Sequence, residues 1–242
     1  MPLDKIKRVF ETPVITSPTR TDPAPPGTRL RLIQAAGEVF ADKGFRAAQV
    51  RDICRRANAN VAAVNYHFRN KAGLYEAVLR HAHRSATEKY PLAGASSPQA
   101  DPAQRLAALI EAFLRRLLEG GWPSWHGKLM MQEFADPTPA LGRICRDYFR
   151  PTLDMFKTTL APLVSNRKAL DRTTLTVLAM CVFYRLADNP LRIMKHSPPG
   201  TPQGIRDLAR HITEFTLGGL DRMRTAGARP STPAGRATRT PR

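Results

Sequence analysis

The side chains with the most chemistry to offer cluster between Arg51 and Lys71, in the stretch RDICRRANANVAAVNYHFRNK. Two short apolar-patterned segments, Val50 to Ala57 and Val61 to Phe68, flank the polar turn Asn58-Ala59-Asn60, which is the punctuation of a helix-turn-helix. In the first, Val50, Ile53, Cys54 and Ala57 recur at helical spacing as a buried stripe, and Arg51, Arg55 and Arg56 point outward. In the second, Asn60 is suited to cap the helix while Ala59, Val64 and Phe68 turn inward. The opposite face carries Val61, Ala62, Ala63 and Asn65. A face of such small side chains can lie close against base edges, so the chemistry on offer is non-covalent recognition of nucleic acid.

Other constellations are weaker. The sequence holds no phosphate loop, no G-x-S-x-G, no H-E-x-x-H and no paired Cys-His ligands, so neither a cofactor nor a metal site is expected. His81 and His83 stand two apart, which on a helix points them away from each other and predicts two surface histidines. His126, Glu133 and Asp136 could suggest acid-base chemistry, but carboxylates on helix surfaces are commonplace. Cys54, Cys145 and Cys181 are far apart and odd in number, and read as small buried apolar residues of a reducing compartment.

These residues have to be positioned by helices. Thr28 is expected to cap a first helix with Leu30, Ile33, Gly37 and Phe40 inward, and Gly44 to end it in the left-handed conformation with Phe45 closing over the end. Ala72 to Tyr90 reads as a longer helix with Leu74, Tyr75, Val78, Leu79 and Ala82 on one face. The stretch PLAGASSPQADP, residues 91–102, breaks the pattern. Beyond it, helical periodicity returns from Leu106 to Leu117, across the aromatic and Met-rich Trp122 to Ala135, from Leu141 to Val164 with a bend at Pro151, and through Leu170 to Met194 and Gln203 to Met223. No strand alternation and no repeat stands out. The fold class is therefore all-α, with an arm over 1–27, a reader over 28–90, a helical body over 103–224 and a basic tail over 225–242.

A net charge of +18 on 242 residues has the sign needed to meet phosphate, although much of it sits in the two ends. Arg20 and Arg29 are candidates to enter a minor groove from the arm. With no charged, apolar, cleavable leader pattern and no apolar run of roughly 18 residues, the expected location is the cytoplasm, away from any membrane.

Taken together, the F-A-x-K-G-F of Phe40 to Phe45, V-R-D-I of Val50 to Ile53 and N-Y-H-F-R-N-K-x-G-L-Y of Asn65 to Tyr75 resemble the DNA-binding domain of TetR-type transcriptional regulators, a likeness running from Thr28 to about Tyr90. The sequence departs from that family at Ala48 and Gln49, where Ser or Thr usually caps helix 2, and at Asn58, where Gly is common. The resemblance implies that double-stranded DNA is the partner, with Arg51, Ala62, Ala63 and Asn65 facing bases, Tyr66 and Lys71 touching phosphate, and Asn60, Val61 and His67 in the same interface. Met131 to Pro139, Phe149-Arg150-Pro151 and Phe183 to Leu186 resemble the C-terminal domain of CecR-type members, which implies a homodimer formed by the last two helices and a small-molecule effector. Trp122, Trp125, Met130, Phe134, Phe156, Met180 and Tyr184 are candidate pocket residues, or else ordinary core. The expected function is a homodimeric repressor of a palindromic operator, released by a small apolar or aromatic effector; the alternatives are an activator with the same reader, a non-specific DNA-coating protein driven by charge, and a helical enzyme.

Overall fold

In a computed structural model, the described residues run from 27 to 227 except 96, 98, 120–122, 124, 165 and 197, with backbone only at 226–227. The expected arm apart from Gly27, Arg20 within it, Trp122 and nearly all of the basic tail therefore lie outside the described residues. Among those described there are helices and turns and no strand, in agreement with the all-α expectation.

The helices are α1 (Thr28–Ala47), α2 (Val50–Arg56), α3 (Val61–Phe68), α4 (Lys71–Lys89), α5 (Pro102–Leu118), α6 (His126–Ala135), α7 (Pro139–Ile144), α8 (Arg150–Leu160), α9 (Arg167–Leu186), α10 (Asp188–Ile193) and α11 (Pro202–Gly227). Short polar side chains start several of them by accepting bonds from otherwise orphaned amides. Asn70 accepts from Gly73 N at 2.9 Å, Asp101 from Ala103 N at 2.9 Å and Asn166 from Ala169 N at 2.9 Å. Gly27, and not Thr28, holds the cap position of α1, and it contributes no side-chain bond. Gly44 adopts φ 77°, and the turn residue Asn58 adopts φ 46°, a conformation that Asn tolerates better than most.

Two cores form, and they do not divide where the sequence breaks. One unites Leu32, Ile33, Phe40, Ile53, Val64, Leu74 and Leu79 of α1–α4 with Trp125 and Leu129 of the α6 segment and Ile144 of α7. The other joins α5, α8, α9 and α11 through Leu106, Ile110, Phe156, Cys181 and Ile205. Thus α6 and α7 pack with the reader, although the chain reaches them only after α5. The inward face of α1 includes Ile33, Gly37 and Phe40 as expected but is wider, with Leu32 and Ala36 fully buried, and Leu30 is only half-buried.

Between α7 and α8 the helix widens into a π-helical turn, Cys145–Phe149, closed by Arg150 N–H donating to Cys145 O. Pro151 follows immediately. A proline has no N–H to give and crowds the preceding turn, and a local π step is a known accommodation. Cys145, expected to be buried, is exposed on this turn.

Candidate nucleic-acid interface and cavity

The turn Ala57–Asn60 sets α2 and α3 at their angle, and Asn60 starts α3 by accepting from Ala63 N at 2.8 Å. Val64 and Phe68 anchor the inner side of α3. Val61, Ala62, Asn65 and Tyr66 face outward, and Tyr66 is 85% exposed, a large aromatic held away from any core. Ala63 is half-buried against the core, so its expected place on the open face is corrected to the rim. The half-buried His67 ring packs edge-on with Tyr66 and tilted against Phe68, at centroid distances of 4.9 and 5.9 Å.

On α2 the arginines differ. Arg55 pairs with Asp52 at 2.9 Å and Arg56 with Glu38 at 2.5 Å, whereas Arg51 makes no ion pair among the described residues. Lys43, which hydrogen-bonds Asp52 at 2.7 Å, and Arg55 hold that carboxyl below its usual range. Lys71 leans back on α1: its Nζ donates to Arg46 O at 3.0 Å and sits 5.0 Å over the Phe45 ring. An ammonium has three donors, so this anchoring leaves others to offer. Arg29, an arm candidate, lies over the Phe68 ring at 5.4 Å. The glycine of N-K-x-G-L-Y has a steric reason, since a Cβ on Gly73 would strike the Phe68 carbonyl.

Many contacts tie the reader to the body, and three of them involve the α6 segment. The Trp125 indole fills the space beside Gly37; Gln132 Nε2 donates to Ala41 O at 3.1 Å; and Tyr75 Oη donates to Glu133 Oε1 at 2.7 Å. Glu133 is itself buried and accepts further bonds from Thr138 N and Oγ1.

Behind this junction is a cavity of about 260 Å³. His83 and Thr87 of α4 line it, with Phe113 and Arg116 of α5, His126, Gly127, Met130 and Phe134 of α6, Tyr148 and Phe149 of the π turn, and Leu178, Val182 and Arg185 of α9. Of the seven residues singled out from the sequence as pocket candidates, Met130 and Phe134 are on its wall. Trp125 is in the α1–α6 junction, Phe156 is fully buried in the second core, Met180 packs against that core and Tyr184 borders a separate surface depression.

The histidines of α4 are not both on the surface as expected. His83 is buried, its ring stacked on Tyr148 at 5.0 Å and edge-on to Phe149 at 5.5 Å, and its Nε2 is 3.4 Å from Nε2 of the buried His126. Burial, with the nearby Arg116 guanidinium, pushes the His83 imidazole down to about 4. Burial, then His83 and Arg185, push His126 well below its ordinary value. The signal in the sequence was register: His83 stands four residues after Leu79 and Arg116 three after Phe113, both on apolar faces. Among the described residues, no group of three or more His, Cys, Asp or Glu is placed to hold a metal, and no helix is long and apolar enough to cross a membrane.

Residues 32–78 match the family profile of bacterial regulatory proteins of the tetR family, and residues 102–220 match that of the HTH-type transcriptional dual regulator CecR, C-terminal domain. Similar curated proteins include the HTH-type transcriptional activator FasR of Mycolicibacterium smegmatis, 38% identical over 86 residues that make up 35% of this chain and 38% of that protein. The HTH-type transcriptional repressor KstR2 of the same organism is 38% identical over 60 residues, 25% of this chain and 29% of that protein. The chain thus spans well under half the length of the curated relatives it matches. A tetR-family regulatory protein from Rhodococcus RHA1 superposes with a TM-score of 0.61 at 20% identity, covering 81% of this chain and 98% of that one. SCO4454, a TetR-family regulator from Streptomyces coelicolor, gives 0.56 at 19% identity, covering 80% and 95%. At such identities the likeness is one of fold.

Proposed function

The chain is a TetR-type transcriptional regulator with a CecR-like C-terminal domain, not an enzyme, and from that premise we propose that it is a homodimeric repressor of a palindromic operator, released when a small effector enters the α4–α6–α9 cavity. The observation that carries the reading is the double duty of α4. Its first turns hold the reader through Lys71, Leu74 and Tyr75, and about 12 to 18 Å further along the helix His83 lines the cavity. Whatever fills the cavity therefore pushes on the rod that carries α3. An effector can shift the reader only by binding one arrangement better than the other.

On DNA, α3 would enter the major groove, with Asn65 offering a donor and an acceptor to an adenine edge, Ala62 meeting thymine methyls, and Arg51 contributing from α2. Tyr66 and Lys71 would contact phosphate, and Asn60, Val61, Ala63 and His67 would set the depth of entry. Two readers related by a two-fold axis would meet successive grooves about 34 to 36 Å apart. The dimer would use the outward sides of α9 and α11. There Leu175, Phe183 and Phe215 are 60, 55 and 65% exposed, an apolar face more typical of an interface than of a solvated surface.

Fluorescence-anisotropy titration of the protein against the duplex upstream of its own gene, beside a scrambled duplex at about 0.15 M salt, tests this. A preference of roughly a thousandfold at two chains per site is expected. Equal affinity for every duplex tried would leave charge, not α3, in control. A promoter-reporter strain lacking the protein should show raised expression; lowered expression would make it an activator.

A further inference from the structure

Four helices each contribute one basic side chain to the cavity: His83 from α4, Arg116 from α5, His126 from α6 and Arg185 from α9. They form a row. Arg116 acts electrostatically on His83, the two imidazole Nε2 atoms are 3.4 Å apart, and Arg185 acts on His126. Gly127 lies against Arg185: a Cβ there would stand 3.5 Å from both terminal guanidinium nitrogens, in ordinary contact.

Carboxylates are kept out of this space. Among the described residues lining the cavity, none is Asp or Glu. Glu133, although on α6, is turned to Tyr75 and Thr138. Asp188 attracts Arg185 from outside the cavity, and it also holds Arg192 at 2.7 Å. Burial pushes both guanidinium groups down, which marks Arg116 and Arg185 as positive groups taken out of water, and it keeps the imidazoles of His83 and His126 neutral at pH 7, each with one N–H to donate. Apart from Thr87, Tyr148 and Thr152, the remaining wall is apolar, with Phe113, Met130, Phe134, Phe149, Leu178 and Val182 among its residues.

A neutral apolar occupant would leave the two buried guanidinium groups, Arg116 and Arg185, as they are, and an ammonium would add to the repulsion between them. An anion reverses it, and a carboxylate suits the planar fork of an arginine. We propose that the cavity takes a small amphipathic monocarboxylate, its head against Arg185, Arg116 and the His83–His126 pair and its apolar body along the aromatic and aliphatic wall. The proposal rests on the effector reading above and names the class of that effector. A volume of about 260 Å³ suits roughly nine heavy atoms, at about 30 Å³ each as in liquid water.

Calorimetric titration of the full chain at pH 7 with octanoate against 1-octanol and octylamine, and with benzoate against benzyl alcohol, decides it. At least one acid should bind tenfold or more tighter than its alcohol, and octylamine should not bind. In Arg185→Gln that preference for acid over alcohol should collapse, and Arg185→Lys, which keeps the charge without the planar fork, should restore part of it; circular-dichroism melts show whether each variant is folded. Should Arg185→Gln not fold, the comparison of acids with alcohols in the natural chain still decides. Equal binding of acid and alcohol, binding of neither acid, or a preference unchanged in folded Arg185→Gln would overturn the proposal. The same ligands are added to the operator complex: an acid that binds with the stated preference and releases no DNA sinks the regulatory reading of the cavity and leaves the anion assignment standing, whereas release by alcohols alone does the reverse.

Discussion

The indole of Trp125 occupies the place where a side chain on Gly37 would go. Replacing a helical glycine by alanine usually stabilises by about 0.5–1 kcal/mol. Here the sign reverses, because the added methyl must displace a buried ring that ties the reader to the body, and Gly37→Ala should cost about 1–3 kcal/mol. Gly142→Ala, which meets only an arginine tip at 3.9 Å, should show the ordinary gain. Urea unfolding of the two variants checks the pair, and a stabilised Gly37→Ala would mean that the Trp125 contact is not formed in solution.

A second fastening gives a second test. Tyr75→Phe removes a buried donor to Glu133 and leaves the carboxylate with the Thr138 bonds alone. The expected loss is about 1–3 kcal/mol, read from the same unfolding curves. A loss within error of zero would show that water replaces the hydroxyl at no cost.

Acid should weaken the fold through the cavity histidines. Their imidazoles are held below the ordinary 6.5 in the folded chain, His83 at about 4, so below pH 6.5 the unfolded chain binds more protons than the folded one. The stability tied to His83 is fully present above pH 6.5 and is lost as the pH falls towards 4. At about 1.4 kcal/mol per pH unit that window amounts to on the order of 3 kcal/mol. Unfolding free energies at pH 7, 5.5 and 4.5 should fall in that order, and His83→Gln should flatten the fall.

On DNA the reader variants should separate by kind. Asn65→Ala should lose about 1–3 kcal/mol of discrimination at one base pair per half-site. Lys71→Ala should weaken binding to all sequences alike and lower the salt slope by about one. Arg51→Ala should affect DNA binding more than Arg55→Ala, since Arg55 is already engaged with Asp52. If Asn65→Ala and Lys71→Ala lost affinity equally on matched and mismatched sites, their proposed roles would be exchanged or void.

The exposed apolar side of α9 and α11 predicts self-association. Phe183→Glu and Phe215→Glu each place a charge where a partner's apolar side chain is expected, and sedimentation velocity should show the natural chain at twice the monomer mass and the variants shifted towards monomer. A natural chain that sediments as a monomer at micromolar concentration would remove the dimer.

Much of the reader was legible because it is written locally. Caps such as Asn60 act within three residues, the inward stripe of α3 needs only helical spacing, and Gly44 and Asn58 announce left-handed turns wherever they stand. The cavity was not legible in this way. Trp125 and Phe134 are both aromatic and nine residues apart, yet one seals a junction and the other lines a space, a difference decided by α1, which lies far earlier in the chain. The pairing of His83 with His126 depends on how α4 and α6 cross, and no spacing within either helix contains it. Register alone did show His83 and Arg116 on apolar faces, and attention to charged residues in such positions would have found the row.

The π turn has a consequence for how this chain can vary. Successive α-helical residues point about 100° apart, so removing one residue from 145–149 would rotate everything on one side of the deletion by that amount relative to the other. Tyr148 and Phe149, adjacent in sequence and both on His83, could not both keep their seats. In this segment, therefore, the number of residues is under tighter constraint than their identity: conservative replacements of Cys145 or Arg146, which project outward, should be absorbed, whereas a single-codon deletion should dismantle the cavity while leaving the caps and stripe of the reader untouched.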